Sequence, residues 1–279
     1  MAVAVITGCS SGFGMLSAVE FARRGDTVYA TMRNTAKADR LRTSAESAGA
    51  SVEVLELDVD DRKSVDAAVE EVIGRAGRID ILVNNAGIGK GGPVEEFDDD
   101  EVLAVFETNV FGVIRVTRAV LPHMRSQGSG TIVNVSSVGG KVTAPFGGIY
   151  SASKHAVEAL SDALYYELHP FGIRVVLIEP GGFETEIETN SRPARRFTEK
   201  SAYFELDLRF SEAREKLPGG GQRADAQIVA DIIVDAAKAE QPKRRYLVGQ
   251  DAELIAGMHK RMSDEEFEKA IRTTLDFWD

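Results

Sequence analysis

Short apolar runs alternate with amphipathic stretches along most of the chain. Short, near-continuous apolar runs are typical of parallel strands that are covered on both faces. The predicted strands are 2–6, 27–31, 52–57, 79–83, 131–135, 173–178 and 245–248. The helices predicted between them are 12–24, 36–48, 62–76, 101–126, 151–171 and 226–239. Strands and helices in alternation predict an α/β fold, with a doubly wound, mainly seven-stranded parallel sheet in a single domain.

One segment, residues 181–222, is too long for an ordinary connection between a strand and a helix. Segments of this kind are often lids or binding loops. Spacings of three and four predict one apolar helical stripe within it, made of Tyr203, Leu206, Phe210, Ala213 and Leu217. With Gly219, Gly220 and Gly221 as a hinge, we predict a lid over about 183–221 that closes on a bulky apolar substrate. Core packing or a subunit contact is the alternative.

Composition and charge narrow the class of protein further. The chain has 279 residues, and 43% of them are hydrophobic, which is enough for a sizeable core. The net charge of −11 argues against a nucleic-acid-binding protein and against binding to an anionic membrane surface. We expect one domain over 1–250, with residues 251–279 as a charged helical extension.

Cysteine and histidine usage bears on compartment and metal binding. Cys9 is the only cysteine, which excludes an intramolecular disulfide and fits a reducing compartment. The four histidines show no ligand spacing, so no metal site is expected. No apolar run is long enough to span a bilayer, and the sequence therefore predicts a cytoplasmic protein.

Three glycines follow the first predicted strand in the stretch VAVITGCSSGFG: Gly8, Gly12 and Gly14. A helix that begins after such a turn presents unpaired N–H groups and the positive end of its dipole, which together can hold a pyrophosphate. Glycines permit the tight turn and the close backbone approach. The spacing differs from G-x-G-x-x-G, so a plain turn remains an alternative for this stretch alone.

Four more motifs follow in order: Asn84-Asn85-Ala86-Gly87, Asn109, Ser136-Ser137 and Tyr150-Ser151-Ala152-Ser153-Lys154. Together with the glycine stretch, they resemble the short-chain dehydrogenase/reductase family, over about residues 3–185. ITGCSSG, VYATMR and SVGG…PFGGIYSASK are most similar to its 17β-hydroxysteroid and retinol dehydrogenase branch. The resemblance implies a Rossmann fold and nicotinamide-dependent interconversion of an alcohol and a carbonyl compound.

Tyr150 and Lys154 are four residues apart and share one face of a predicted helix, where the ammonium favours the ionised phenol. The resemblance implies that Tyr150 exchanges the proton and that Lys154 also binds the nicotinamide ribose. It further implies that Ser137 hydrogen-bonds the substrate oxygen and that Asn109 holds a water linking Lys154 to solvent. Taken singly, each of these residues has an ordinary structural explanation, but together and in order they predict a catalytic set.

The resemblance also implies a set of cofactor contacts along the chain. They are Gly8, Ser10, Ser11, Gly12, Phe13 and Gly14 for the pyrophosphate, Asp58 and Val59 for the adenine, Asn85, Ala86 and Gly87 for the adenosine ribose, and Pro180, Gly181, Phe183 and Thr185 for the carboxamide. The family often has a smaller aliphatic residue at the position of Phe183. Tyr150 and Lys154 complete the set.

The end of the second predicted strand bears on the choice of cofactor. An NAD-selective site usually has an acid there, but this strand ends without one and is followed by Arg33. The guanidinium of Arg33 suits a 2′-phosphate, and Ser11 can add a hydroxyl donor. We therefore predict a preference for NADP(H), with NAD(H) possible. Ser11 stands where the family has a second basic residue, so the preference should be weaker than in members with both cations.

Two other readings stay open at this point. One is a different reaction on the same fold, such as enoyl reduction or sugar epimerisation, although enoyl reductases usually place the Lys further from the Tyr. The other is a cofactor-sensing binding protein without turnover.

The resemblance implies a small-molecule alcohol or carbonyl substrate and a homodimer or homotetramer formed through the long fourth and fifth helices.

Overall fold

The computed structural model describes residues 1–186, 191–215 and 223–278. Its strands form one seven-stranded sheet in the order β3-β2-β1-β4-β5-β6-β7, and every neighbouring pair is parallel. The strands are β1 (Val3–Ile6), β2 (Thr27–Met32), β3 (Glu53–Glu56), β4 (Ile81–Asn84), β5 (Gly130–Val135), β6 (Ile173–Pro180) and β7 (Arg245–Val248). The predicted doubly wound parallel sheet is confirmed. Its strand order reverses between β1 and β4, where ligands bind in folds of this kind.

Ten α-helices connect or flank the strands in the described part of the chain. They are α1 (Gly12–Arg23), α2 (Asp39–Ser47), α3 (Arg62–Ala76), α4 (Asp99–Phe106), α5 (Gly112–Gln127), α6 (Gly148–Leu168), α7 (Phe204–Glu215), α8 (Gln227–Lys238), α9 (Gln250–Arg261) and α10 (Asp264–Leu275). None of them is both long and apolar enough to cross a membrane.

The single helix predicted over 101–126 is interrupted in the structure. A five-residue π-helical segment, Glu107–Phe111, separates α4 from α5, and the N–H of Gly112 bonds to the carbonyl of Glu107. A π segment keeps the chain helical, so the apolar periodicity continues across it and does not reveal it. Segments of this kind are frequent at functional sites, and this one contains Asn109.

Two hydrophobic clusters, called here the sheet cores, lie on opposite faces of the sheet. Successive residues of β1 point to opposite faces, so Ile6 belongs to one cluster and Val5 to the other. The first core contains Phe21 and Ile233 from the helices that cover it, and the second contains Val120. Each such side chain contributes about 1.5–3 kcal/mol when it is fully buried.

A third cluster, called here the cap cluster, consists of Phe210, Ala213, Leu275 and Phe277. It joins α7 to the end of the chain, and the rings of Phe210 and Phe277 meet edge to face with their centres 5.1 Å apart. Leu206 and Phe146 pack against it from the side. Part of the predicted stripe therefore shares one packed face, whereas Leu217 and the three glycines 219–221 lie outside the described residues.

Candidate active site

The predicted site residues follow the carboxyl ends of β1, β4, β5 and β6. Because the strands are parallel, these ends lie along the same edge of the sheet. Thr7 follows β1, Asn85 follows β4, Ser136 follows β5 and Gly181 follows β6. The topology thus brings together segments that are separated by many residues in the sequence.

The glycine stretch forms a cradle at the N-terminus of α1. Gly8 and Gly12 have φ angles of +73° and +56°, a region that favours glycine. A Cβ on Gly8 would lie 2.8 Å from Ala86 Cα, and a Cβ on Gly14 would overlap the amide of Asn85. Ser11, directly before α1, is extended and makes no side-chain cap, so the N–H groups of the first turn face the cradle. This arrangement fits the pyrophosphate of a dinucleotide.

Thr7 and Asn85 tie the cradle to the segment after β4. Thr7 Oγ1 accepts hydrogen bonds from the N–H groups of Asn85 and Ala86, both at 3.0 Å. Asn85 Nδ2 donates to the carbonyls of Thr7 at 2.9 Å and Gly8 at 3.2 Å. The side chains of Thr7 and Asn85 therefore hold the loop in shape, a role that sequence reasoning missed for both residues. The only sequence signal for this role was the position of Thr7 between the strand and the first glycine.

Ser137 and Tyr150 face the same small gap above Gly139. A Cβ on Gly139 would lie 3.4 Å from Ser137 Oγ and 3.5 Å from Tyr150 Cε1. Ser137 Oγ accepts a hydrogen bond from the Gly139 N–H at 3.0 Å and donates to the Pro180 carbonyl at 3.5 Å. These contacts fix the direction of the hydroxyl beside the ring of Tyr150, at the first turn of α6.

Lys154 is buried one helical turn after Tyr150. Its Nζ donates to the carbonyl of Val135 at 2.9 Å and lies 5.7 Å from the centre of the Tyr150 ring. Burial lowers the pKa of Lys154 to about 8, and the charge of Glu158 opposes that shift. When charged, the ammonium lies close enough to favour ionisation of the phenol.

Asn109 lies in the π segment and is almost fully buried. Its Oδ1 accepts from the Ile88 N–H at 2.8 Å, and its Nδ2 donates to the Ile88 carbonyl at 2.9 Å and to Ser153 Oγ at 3.0 Å. A Cβ on Gly87 would lie 3.3 Å from Asn109 Oδ1 and 3.7 Å from Lys154 Nζ. The amide thus joins the segment after β4 to α6. Its predicted part in holding a water stays a prediction.

Arg33 and Asp58 follow the neighbouring strands β2 and β3. Arg33 is exposed. Burial raises the pKa of Asp60, and the charges that act on this carboxyl include Asp58 and Arg33. Val59, between the two acids, is buried and lies against Gly112. The Leu57 N–H donates to the Met32 carbonyl at 3.1 Å, and the Cys9 N–H donates to the Thr31 carbonyl at 2.9 Å. The segments that carry Arg33, Asp58 and the glycine cradle therefore leave the sheet side by side.

The segment after β6 is held by the C-terminal part of the chain. The Gly181 N–H donates to the Val248 carbonyl at 2.8 Å, and the Gly182 N–H donates to Asp251 Oδ2 at 2.7 Å. Phe183 is buried, edge to face with Phe13 at 6.0 Å between ring centres. Sequence reasoning missed Asp251, because nothing in the local pattern links it to residues 69 positions earlier.

Thr185 closes this segment over the glycine cradle. A Cβ on Gly12 would lie 3.6 Å from the Cβ of Thr185. Residues predicted to contact the pyrophosphate and the carboxamide of a dinucleotide are therefore neighbours.

Two other groups near the site have no predicted chemical role. Burial raises the pKa of the Cys9 thiol to about 12, which makes it a poor nucleophile. Glu101 is buried in an ion pair with Lys90 at 2.6 Å and accepts from the Arg195 N–H at 3.2 Å. Among the described residues, no group of three or more His, Cys, Asp or Glu side chains is arranged to hold a metal ion.

Comparisons with known proteins identify the family to which the chain belongs. The profile of the family described as short chain dehydrogenase matches residues 2–196. The chain belongs to the short-chain dehydrogenase/reductase family, and it is an oxidoreductase that works with NAD(P).

Individual relatives share most of their length with this chain. It is 41% identical to 3-ketodihydrosphingosine reductase of Bacteroides thetaiotaomicron, over 97% of this chain and 96% of the relative. It is 34% identical to NADPH-dependent 3-dehydrocapnine reductase of Ornithobacterium rhinotracheale, over 98% of both. Human 17-beta-hydroxysteroid dehydrogenase type 1 is 36% identical, over 88% of this chain and 76% of the relative. The crystal structure of a short-chain dehydrogenase from Streptomyces avermitilis has a TM-score of 0.80 and 36% identity, over 98% of both chains.

Proposed function

We propose that the protein is an NADP(H)-dependent reductase that interconverts a ketone and a secondary alcohol on a long apolar chain. The observation that carries this proposal is the convergence of Ser137, Tyr150 and Lys154 at the sheet edge, beside a glycine cradle that fits a dinucleotide. An acid–base group beside a cofactor site is what a reductase needs and a cofactor sensor does not.

The residues divide the work as follows. A reduced nicotinamide, when bound, supplies the hydride. Ser137, oriented by Gly139 and Pro180, holds the carbonyl oxygen, and Tyr150 donates the proton that this oxygen needs. Lys154 lowers the pKa of the phenol through its charge, so the proton can be exchanged near neutral pH. The remaining predicted contacts hold the cofactor.

The preference for NADP(H) rests on Arg33. It follows β2 without a carboxylate at the strand end, and its exposed guanidinium lies beside the segment 58–60. A planar guanidinium binds a phosphate through paired hydrogen bonds. The relative from Ornithobacterium rhinotracheale is named as NADPH-dependent, which supports the same choice.

The substrate class rests on a cavity and on the relatives. A cavity of about 400 Å³ is lined by Pro93, Val94, Glu95, Pro145, Phe146, Tyr203 and Leu206. Phe146 comes four residues before Tyr150, and Val94 packs against Gly148 at the start of the same helix. We propose that the apolar part of the substrate lies here, under α7 as a lid. Two relatives that match almost end to end are named for 3-ketodihydrosphingosine and 3-dehydrocapnine, and we propose a 3-ketone of this kind.

The test is consumption of NADPH and of NADH by the purified protein with four substrates: 3-ketodihydrosphingosine, a 17-ketosteroid, a short ketone and an enoyl thioester. We expect turnover of 3-ketodihydrosphingosine with NADPH, at a higher kcat/KM than for the steroid or the short ketone. The Tyr150→Phe variant is the matched control, since it keeps the ring and lacks the proton donor. Turnover of the enoyl thioester alone would favour the rival reaction, and a preference for the steroid would replace the proposed substrate.

We also propose that the protein assembles with copies of itself through α4, α5 and α6. Leu103 and Tyr166, on the first and last of these helices, are 62% and 67% exposed and would be covered in such an assembly. Sedimentation velocity should show a dimer or a tetramer, and a monomer at micromolar concentration would contradict this.

A further inference from the structure

Two buried carboxyl groups lie behind the catalytic residues. Glu158 is in α6, one turn after Lys154, and Glu179 is near the end of β6. Their side chains are only 8% and 4% exposed. A Cβ on Gly140 would lie 3.0 Å from Glu158 Cγ and 2.8 Å from Ser136 Oγ. Glu158 is therefore in packing contact with the segment that carries Ser137.

The two carboxyl groups share the same cations. Arg245 Nε lies 3.1 Å from Glu158 Oε2 and 3.0 Å from Glu179 Oε1. Lys141 Nζ lies 3.6 Å and 3.8 Å from the same two groups. Carboxyl oxygens that approach one nitrogen this closely are neighbours, and two neighbouring carboxylates repel each other when both are charged.

The hydrogen bonding of the pair is incomplete without a proton. Within the described residues, neither the buried Glu158 Oε1 nor the buried Glu179 Oε1 makes a hydrogen bond, and Glu179 Oε1 has only its ion pairs with Arg245 and Lys141. An unpaired buried carboxylate oxygen is costly, whereas a proton on one of two neighbouring carboxyl groups lets that group donate a hydrogen bond to the other. Burial, and next the charge of Glu158, raises the pKa of Glu179 to about 7. The pair therefore keeps one proton up to a pH near 7, well above the ordinary range of a carboxyl group.

Glu158 also faces Lys154. The two residues are separated by four positions on α6, which brings their side chains to the same face. The hydrogen bond of Lys154 Nζ to Val135 is to a neutral carbonyl, so it leaves the ammonium charge uncompensated. Glu158 supplies the opposing charge. The other charged groups around the pair are Lys141, Arg244, Arg245 and Asp162, and Asp162 binds the two arginines.

We propose that Glu158 and Glu179 share one proton, and that the negative charge left on the pair keeps Lys154 protonated during turnover. Glu158 is then a positioning residue for the reaction, acting through Lys154, and this inference rests on the proposed function. Ketone reduction requires Lys154 charged and Tyr150 protonated. A negative charge nearby disfavours loss of either proton, so its removal must move the alkaline loss of activity to lower pH, whichever of the two groups titrates first.

The kinetic experiment measures kcat for ketone reduction against pH at saturating NADPH. Glu158→Gln should lower the alkaline midpoint by about one pH unit and leave the activity at lower pH nearly unchanged. Glu179→Gln should shift it less, because the amide imitates the protonated acid. Asp162→Asn is the matched control, since Asp162 lies one turn further along α6 and shares its partner Arg245 with Glu158. Its midpoint should equal that of the wild type.

A second measurement needs neither substrate nor a change at Glu158. Infrared spectra of the wild type at neutral pH should contain the band of a protonated carboxylic acid, and Glu179→Gln should remove it. This infrared measurement tests for the shared proton even if the protein reduces no ketone. The proposal is overturned if the band is absent, or if Glu158→Gln and Asp162→Asn have the same alkaline midpoint.

Discussion

The sheet cores and the cap cluster bury their aromatic side chains in different surroundings. Phe21 is fully buried between α1 and the sheet, in a cluster that reaches from β2 to β7. Phe210 and Phe277 are 6% and 2% exposed, in a cluster of four buried residues that joins α7 to the end of the chain. The same residue type therefore stabilises the packing along the sheet in one place and the contact of α7 with residues 275–277 in the other.

The residues of the reaction and those of the substrate cavity follow this division. Ser137 and Lys154 are fixed at the ends of strands that the sheet cores hold in register. Phe146 and Leu206 line the proposed substrate cavity and pack against the cap cluster. Smaller packing units open at lower free energy than the global core. The residues that line the substrate cavity can therefore change between family members without a change in the reacting residues at the sheet edge.

The largest effect is expected at the rigid edge. Tyr150→Phe removes the proton donor and keeps the ring that packs beside Gly139. We expect kcat to fall at least about a thousandfold, with the dissociation constant for NADPH nearly unchanged. Turnover above a tenth of the wild-type value would remove Tyr150 from its proposed role. Lys154→Ala, in comparison, should weaken both turnover and cofactor binding.

The two packing units can be compared with one substitution made in each. Phe21→Ala should lower the free energy of unfolding by about 3–5 kcal/mol, because the sheet core cannot collapse around the lost ring. Phe277→Ala should lower it much less, but raise KM for an apolar ketone, since only the cap loosens. Denaturant unfolding and steady-state kinetics measure the two. Equal losses of stability would show that the cap and the sheet form one cooperative unit.

A smaller effect on kcat/KM is expected at Arg33, which lies at the sheet edge but does not take part in the reaction. Arg33→Ala should cost about 1.5–3 kcal/mol in kcat/KM with NADPH, typical of a hydrogen bond to a charge, and almost nothing with NADH. The ratio of kcat/KM for the two coenzymes, in wild type and variant, is the measurement. A wild-type preference for NADH, or a ratio that the substitution leaves unchanged, would contradict the proposed cofactor choice.

The smallest effect concerns the junction of the two regions. Burial raises the pKa of Glu101, but Lys90 and the N–H groups of Asp98 and Arg195 outweigh burial and lower it to about 2. The folded pKa lies below the ordinary value of 4.5, so the carboxylate stabilises the fold above about pH 4.5 and loses this effect as pH falls towards 2. Glu101→Gln should cost about 1 kcal/mol at neutral pH and progressively less as the pH falls towards 2. Melting temperatures against pH test this, and parallel curves would refute it.

The sheet and its site edge could be predicted because they depend on local patterns. Each strand is a short apolar run, and the parallel arrangement places its last residue at the common edge. The motifs that follow two of these strands resemble those of the family, and this resemblance predicted Asn85 and Ser137 as site residues. The π segment was not predictable, because helical periodicity continues through it. The roles of Asn109, Thr7 and Asp251 depend on hydrogen bonds between distant segments, which no pattern along the chain records.

The carboxylate of Asp251 sets a rule for exchanging parts between relatives. It binds the Gly182 N–H, and it occupies the space where a side chain on Gly181 would lie. The first turn of α9 is therefore matched to the loop after β6, although α9 leads on to the helices of the cap. A chimera that takes its C-terminal helices from another family member should be joined after Ala252. A junction placed before Asp251 separates the Gly182 N–H from its acceptor and disturbs the cofactor loop, even when every residue of the new helices is well chosen.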